Sequence, residues 1–388
     1  MNPRPKLALV TPIFSMEAMG GAEKIAFEYS LLLNEFADLT VLTTTAKNYT
    51  TWATYYEAGA QLYQGISVSR FSTQSERSPK KFNRFHSKLL KKFPDITQKE
   101  YEKWLELQGP NCPELVKFIQ KNSNSFDLFI FVTYLYYPVI KSIGLVKEKS
   151  FWVPTLHDEK TAYFQIYKNN LVNEIHYSFN TPEEKNIFQK IAGYCPDNYS
   201  IIGMHVELPN LILKTILDKP YIVYVGRLDS GKGVGELIDF FIQFREYTGI
   251  ELNLVLVGGG EYIWEKKDYI LTKGFVSEKE KYELIYNSEL LINSSTMESF
   301  SIVIMEAWLL GKSVLVNSKS ETLQNHCKRS NGGLYYRDKE SFIACLKFLL
   351  SRNDIRKKMG VNGKKYVELN YNLDVIRSKL RAMIFSKL

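Results

Sequence analysis

Cysteine is scarce in this 388-residue chain, and Cys112, Cys195, Cys327 and Cys345 stand far apart with no C-x-x-C pair. That spacing excludes a disulfide framework and a short-motif zinc site, and it fits a reducing compartment. Long apolar runs are missing as well. The longest uncharged apolar stretch, Leu128–Ile140, is interrupted by Pro138 and falls well short of the ~20 residues that a membrane-spanning helix needs. Near the N-terminus the run Leu7–Phe14 leads into glycines rather than a small-residue cleavage site, so it reads as a first strand. No low-complexity tract and no internal repeat is visible.

What is present fits a soluble, or at most monotopic, globular protein. Apolar residues make up 45% and charged residues 24%, which excludes global disorder. At roughly 150 residues per domain the length corresponds to two or three domains. Lys and Arg number 50 against 42 Asp and Glu, leaving a net charge of +8. Such an excess favours anionic partners without choosing among phosphates, nucleic acid and a membrane face. The 25 Tyr, 23 Phe and 5 Trp supply apolar area with polar handles, for cores or for sugar-stacking surfaces.

Short β-branched or aromatic runs alternate with segments of helical period, the pattern of parallel α/β layers. Strands are predicted at Leu7–Phe14, Leu39–Thr44, Ile66–Phe71, Leu128–Thr133, Phe151–Leu156, Ile175–Ser178 and Tyr199–Gly203. After a polar stretch at Glu207–Lys219 the alternation restarts, with Tyr221–Val225, Leu252–Val257, Leu290–Ser294 and Ser313–Val316. The restart predicts two Rossmann-like, doubly wound domains. The amphipathic segment Leu373–Leu388 lies beyond the second set of strands and is expected to pack back on the first domain.

Several loops carry chemistry. Gly20-Gly21 opens a helix after the first strand, where a backbone free of Cβ atoms and a helix N-terminus suit a phosphate; the same pair also suits a plain tight turn. Gly226-Arg227-Leu228-Asp229-Ser230-Gly231-Lys232-Gly233 imitates a P-loop but has Gly233 where Ser or Thr would hold Mg²⁺. It leaves two cations, Arg227 and Lys232, that can converge on a diphosphate. In Glu298-Ser299-Phe300-Ser301-Ile302-Val303-Ile304-Met305-Glu306, two carboxylates bracket a strand-to-helix turn. Carboxylates are acceptors suited to sugar or ribose hydroxyls, and the N–H groups near Phe300 to Ile302 suit an anion. His157-Asp158-Glu159 follows a strand, at the end where open sheets place ligands. Gly258-Gly259-Gly260 also ends a strand and is a candidate phosphate or base lining. Arg77–Lys92 has seven cations and no acid, with Phe82, Phe85, Leu89 and Phe93 on one stripe, a pattern that suits an anionic membrane surface, an acidic acceptor or a solvated helix face.

Together the G-R-x4-K-G loop, the E-x7-E stretch, the glycine pair and the His-Asp step resemble the retaining GT-B glycosyltransferases, specifically glycosyltransferase family 4, most strongly over Tyr221–Val316. The resemblance implies an α/β GT-B fold: two Rossmann-like domains facing across a cleft and a C-terminal helix crossing back to the first. The corresponding boundaries are 1–210 for the acceptor-side domain, 211–370 for the nucleotide-sugar domain and 371–388 for the returning helix. It also implies roles. Arg227 and Lys232 bind the donor diphosphate and stabilise the leaving group; Glu298 contacts the transferred sugar and Glu306 the ribose. Ser299, Phe300, Ser301 and Ile302 offer backbone amides to the diphosphate, with Ser301 standing where the family has Gly. His157 lies near the reacting carbon, Gly20 and Gly21 approach the phosphates, and Val276 meets the nucleobase through its backbone, with Lys281 a lesser candidate. No D-x-D occurs in the chain, and the resemblance implies transfer without a metal or other cofactor. The donor would be a UDP- or GDP-linked sugar and the acceptor a glycan or lipid-linked sugar, with nucleic acid no partner. The expected location is the cytoplasm, with Arg77–Lys92 docking on the inner membrane face. Other readings of the same site are a catalytically silent nucleotide-sugar-binding protein and a GT-B epimerase or phosphorylase.

Overall fold

The computed structural model describes residues 4–16, 20–209, 219–260 and 262–388. The chain divides into two compact units, one of Met1–Met204 with Arg377–Leu388 and one of His205–Ile376. The expected boundary between residues 210 and 211 lies outside the described residues.

The first unit is built on an eight-stranded sheet: β1 (Lys6–Val10), β2 (Asp38–Thr44), β3 (Gly59–Tyr63), β4 (Ile66–Phe71), β5 (Leu128–Val132), β6 (Ser150–Val153), β7 (His176–Phe179) and β8 (Tyr199–Ile201), in the order β3-β4-β2-β1-β5-β6-β7-β8. All neighbours pair in parallel except β3, which runs antiparallel to β4. β5, Leu-Phe-Ile-Phe-Val, is buried along its whole length, as a strand covered on both faces must be. The unpredicted β3 is an exposed edge strand without that apolar signature. It is held instead by a two-residue turn in which Gln64 and Gly65 both have positive φ, 51° and 78°.

In the second unit the sheet comprises β9 (Tyr221–Val225), β10 (Asn253–Val257), β11 (Ile270–Gly274), β12 (Leu291–Asn293), β13 (Val314–Asn317) and β14 (Gly333–Tyr336), all parallel, in the order β11-β10-β9-β12-β13-β14. Counted within the unit this is 3-2-1-4-5-6, and the order reverses between β9 and β12. Doubly wound sheets hold ligands at the carboxyl ends of the strands flanking such a reversal. In the first unit the corresponding reversal lies between β1 and β5.

The helix Leu373–Phe385 realises the predicted C-terminal amphipathic segment, and its residues from Arg377 onward belong to the first unit. Arg377 forms a two-pronged ion pair with Glu35 at 2.7 and 3.1 Å, and Lys387 donates to the carbonyls of Glu148, Ser150 and Glu174. The basic segment forms the helix Pro79–Lys92, with Ser78 as its N-cap. Its apolar stripe is spent on the unit's own core: Phe82 and Leu89 are buried, and Phe85, Leu90 and Phe93 pack beside them. Lys80, Lys81, Arg84, Lys88 and Lys91 remain exposed, whereas Lys92 pairs with Glu100 at 2.6 Å. Among the described residues no helix is long and apolar enough to cross a membrane.

Candidate functional site

Two loops of the second unit meet beside the sheet reversal. Strand β9 runs into Gly226–Gly233, where Tyr224 donates its hydroxyl to the Arg227 carbonyl at 2.9 Å and Asp229 accepts the Lys232 N–H at 2.9 Å. Gly233 has φ 68°, and an added Cβ would overlap the Ser294 carbonyl oxygen at the end of β12, so only glycine lets the two loops touch. Ser294 in turn donates its hydroxyl to the Lys232 carbonyl at 2.9 Å. This contact delivers Lys232 Nζ to Glu298 Oε1 at 2.7 Å, with the side chains 24% and 15% exposed. Arg227, 58% exposed, lies 3.4 Å from Asp229. Gly258–Gly260 serves the same packing: a Cβ on Gly258 or Gly260 would overlap the carbonyls of Gly226 and Leu228, and one on Gly259 would overlap the Phe275 ring.

The turn after Glu298 keeps glycine-like geometry without glycine. Ser301 is the N-cap of the helix Ile302–Leu309 and has φ 71° and ψ 84°, a left-handed conformation costly to a residue with a Cβ. The buried Asn293 at the end of β12 donates from its amide to the Ser301 hydroxyl at 2.9 Å while its oxygen accepts the Ser295 N–H at 3.0 Å. The polar side chain that ends an apolar strand thereby fixes the turn. Behind it, Phe300 is buried and packs edge-on against Tyr371 and His326, at centroid separations of 4.9 and 5.8 Å.

Glu306, within the same helix, is 3% exposed and receives Lys281 Nζ at 2.9 Å from the helix Glu278–Asn287. Val276 is half-buried in the short link between β11 and that helix.

The remaining predicted residues belong to the first unit. His157, half-buried, follows β6 by way of Thr155, which has φ 53°. Thr133, immediately after β5, is also left-handed at φ 68°. Left-handed non-glycine residues gather where a surrounding structure over-determines the main chain, often at functional loops. Trp152 Nε1 donates to the Thr133 carbonyl at 3.0 Å, and Glu184, fully buried, accepts the Leu156 N–H at 2.8 Å and the Asn180 N–H at 2.6 Å, tying the loops after β6 and β7 together. Burial pushes its carboxyl up to about 8 in spite of those bonds. Gly20 and Gly21 open the helix Gly21–Asn34, and the Glu23 carboxylate of its first turn stands against the Gly20 Cα. An anion at this helix start therefore shares it with a resident carboxylate.

Sequence reasoning singled out the loop cations and carboxylates but not Asn293, Ser294 or Glu184. Asn293 and Ser294 left one trace, polar residues at buried positions immediately after the apolar stretch of β12.

Residues 212–366 match the family model described as glycosyl transferases group 1. Trehalose synthase of Pyrococcus horikoshii is 23% identical over 259 residues, covering 59% of this chain and 62% of the relative; the chain thus spans about three fifths of that curated protein. Among solved structures, HepE of Anabaena in complex with UDP and glucose superposes with a TM-score of 0.71 at 15% identity, covering 98% of this chain and all of that one. Sucrose-phosphate synthase of Thermosynechococcus elongatus gives 0.68 at 15% identity, over 99% and 100%. The fold is therefore that of the GT-B proteins, two doubly wound α/β units with a helical C-terminus. Within it, the match to the glycosyl transferases group 1 model falls in the second unit, the one that carries the Lys232–Glu298 and Lys281–Glu306 pairs.

Proposed function

We propose that this protein transfers a hexose or related sugar from a UDP- or GDP-linked donor to a glycan or lipid-linked acceptor, with retention at the anomeric carbon and without a metal, in the synthesis of a cell-surface polysaccharide or glycoconjugate. The observation that carries this reading is the Lys232–Glu298 pair beside the β9–β12 reversal. It sets a cation suited to a diphosphate next to an acceptor suited to sugar hydroxyls. HepE, crystallised with UDP and glucose, supports the donor class.

On donor binding Lys232 exchanges Glu298 for a phosphate oxygen, and Glu298 turns to the sugar. Arg227 and the N–H groups that open the helix Ile302–Leu309 join Lys232 on the diphosphate. When the bond from the anomeric carbon to the terminal phosphate oxygen breaks, its electron pair stays on that oxygen, where these preorganised donors stabilise it. The acceptor oxygen then bonds to the anomeric carbon on the face the phosphate leaves, and its proton passes to the leaving phosphate oxygen. Glu306 is assigned to the ribose, Val276 to the base, His157 to the sugar's reacting carbon, and Gly20-Gly21 to the phosphates.

The exposed cations of the helix Pro79–Lys92 are assigned to an anionic face of the cytoplasmic membrane. Because the apolar stripe is buried, this contact is electrostatic and weakens with salt. Binding to anionic vesicles should be lost on changing Lys80, Lys81 and Arg84 to Gln, and equal binding to neutral vesicles argues against it.

The test of the main reading is thermal stabilisation by UDP, GDP and their sugar conjugates, since a ligand of the native state raises the melting temperature. Stabilisation by one base series is expected, and none by any member overturns the reading. NMR of the product should show the donor's anomeric configuration; an inverted linkage overturns retention.

A further inference from the structure

We propose that Lys281 is a positioning residue that makes the nucleotide site selective for ribose over deoxyribose, by holding the Glu306 carboxylate in one orientation. The inference rests on the reading of Glu306 as the ribose acceptor. Lys281 and Glu306 come from different helices, yet their side chains are only 13% and 3% exposed and meet at 2.9 Å. Lys281 Nζ also donates to both oxygens of Glu278, at 3.0 and 2.9 Å, but Glu278 is 68% exposed, so water satisfies that carboxylate readily. Glu306 is shielded from water by comparison. Beside it, the Tyr282 hydroxyl reaches the same Glu306 Oε1 at 3.4 Å and Glu278 Oε2 at 3.0 Å.

Lys281 thus holds a single oxygen of Glu306, while the one hydroxyl proton of Tyr282 goes to the nearer Glu278 Oε2. A glutamate has three side-chain torsions, and a hydrogen bond to a sugar hydroxyl weakens steeply away from linearity. Fixing one oxygen sets the plane of the carboxylate and the direction of its lone pairs. Lys281 also supplies the countercharge without which a buried carboxylate is strongly disfavoured. A rigid, charged acceptor rejects a ligand that lacks the matching hydroxyl far better than a mobile one, because the group left unpaired cannot turn elsewhere.

The measurement is the affinity of the full chain for UDP and GDP and for the 2′-deoxy and 3′-deoxy forms of each, by titration calorimetry. The wild type should prefer the ribonucleotide of the accepted base about 10-fold or more over the worse deoxy form, the worth of one charge-assisted hydrogen bond. Lys281→Met should shrink the preference to within about threefold by the same measure, and Lys281→Arg should restore most of it. A preference unchanged in Lys281→Met overturns the inference and leaves Glu306 as the ribose acceptor. A wild type indifferent to both deletions overturns that reading itself. Should Lys281→Met fail to fold, Lys281→Gln carries the same expectation of loss, and an unchanged preference there has the same overturning force.

Discussion

In the second unit, the residues beside the sheet reversal are charged and paired with one another: Lys232 with Glu298, Lys281 with Glu306. In the first unit, the loops after β5 and β6 are held through the main chain, by left-handed Thr133 and Thr155 and by Glu184 accepting the N–H groups of Leu156 and Asn180. In one arrangement the part-exposed Lys232–Glu298 pair can trade partners by turning a few side-chain torsions, while the more deeply buried Lys281–Glu306 pair keeps its orientation. The other arrangement defines a loop shape that no ligand group replaces. Substitutions of the paired charges should therefore register in ligand affinity and turnover, and those of Glu184 in stability.

The largest expected effect is that of Lys232→Ala, a fall in transfer efficiency of about 10²–10³-fold, as for loss of one preorganised donor to a leaving group. Its melting temperature should stay within a few degrees, because Glu298 can turn to solvent. Steady-state kinetics with the stabilising donor checks this, and unchanged turnover removes Lys232 from the site. Next comes Glu184→Ala, which orphans two buried N–H groups and should cost the first unit about 3 kcal/mol. Hydrogen exchange resolved over β6 and β7 against β9 and β12 measures it; equal losses in both sheets would erase the contrast.

A pH scan sharpens the comparison further. Burial, aided by Arg329 and opposed by the Phe300 carbonyl, pushes His326 down to about 3 from 6.5. The unfolded chain then binds a proton that the folded second unit refuses, so this contribution is complete above pH 6.5 and is lost as pH falls, at up to about 1.4 kcal/mol per pH unit. In the first unit His176 acts in the same direction, pushed down to about 4 by burial and then by Lys387. Glu184 acts oppositely: raised from 4.5 to about 8, it holds its proton when folded and stabilises progressively as pH falls from 8 to 4.5. From pH 6.5 to 4.5 the first unit should stay nearly level while the second softens, by exchange corrected for intrinsic rates. His326→Gln should flatten the second unit's response, and a slope that persists in that variant assigns the softening to another group.

The smallest effect separates two changes at one residue. Ser301→Ala keeps the left-handed backbone and discards the Asn293 bond, a loss of about 1 kcal/mol. Ser301→Gly discards the bond but relieves a backbone cost of similar size and should be nearly neutral. Denaturant midpoints of the two variants decide it, and equal destabilisation would mean the turn stores no strain.

Much of the architecture was legible because buried parallel strands announce themselves: Ile66–Phe71 and Tyr221–Val225 are present with the predicted bounds. Leu7–Phe14 was read too long, since the strand ends at Val10, two residues before Pro12 removes an N–H from the ladder. The strands β3, β11 and β14 were missed, and of these β3 and β11 are largely exposed edges with no apolar run to betray them. The loop cations and carboxylates could be read because glycines and charges mark them. Their partners could not, since Lys281 and Glu306 meet across 25 positions on two separate helices. The stripe of Phe82 and Leu89 was equally visible, but nothing in sequence tells whether lipid or the protein's own core covers such a stripe.

The return of Arg377–Leu388 to the first unit also has a temporal side. A ribosome delivers the chain from its N-terminus, and the entire second unit emerges before the segment that carries Arg377 and Lys387 to Glu35 and to the carbonyls of Glu148 and Glu174. The unit begun first is completed only after the second has been made, and until that helix emerges the surface it covers is open to water.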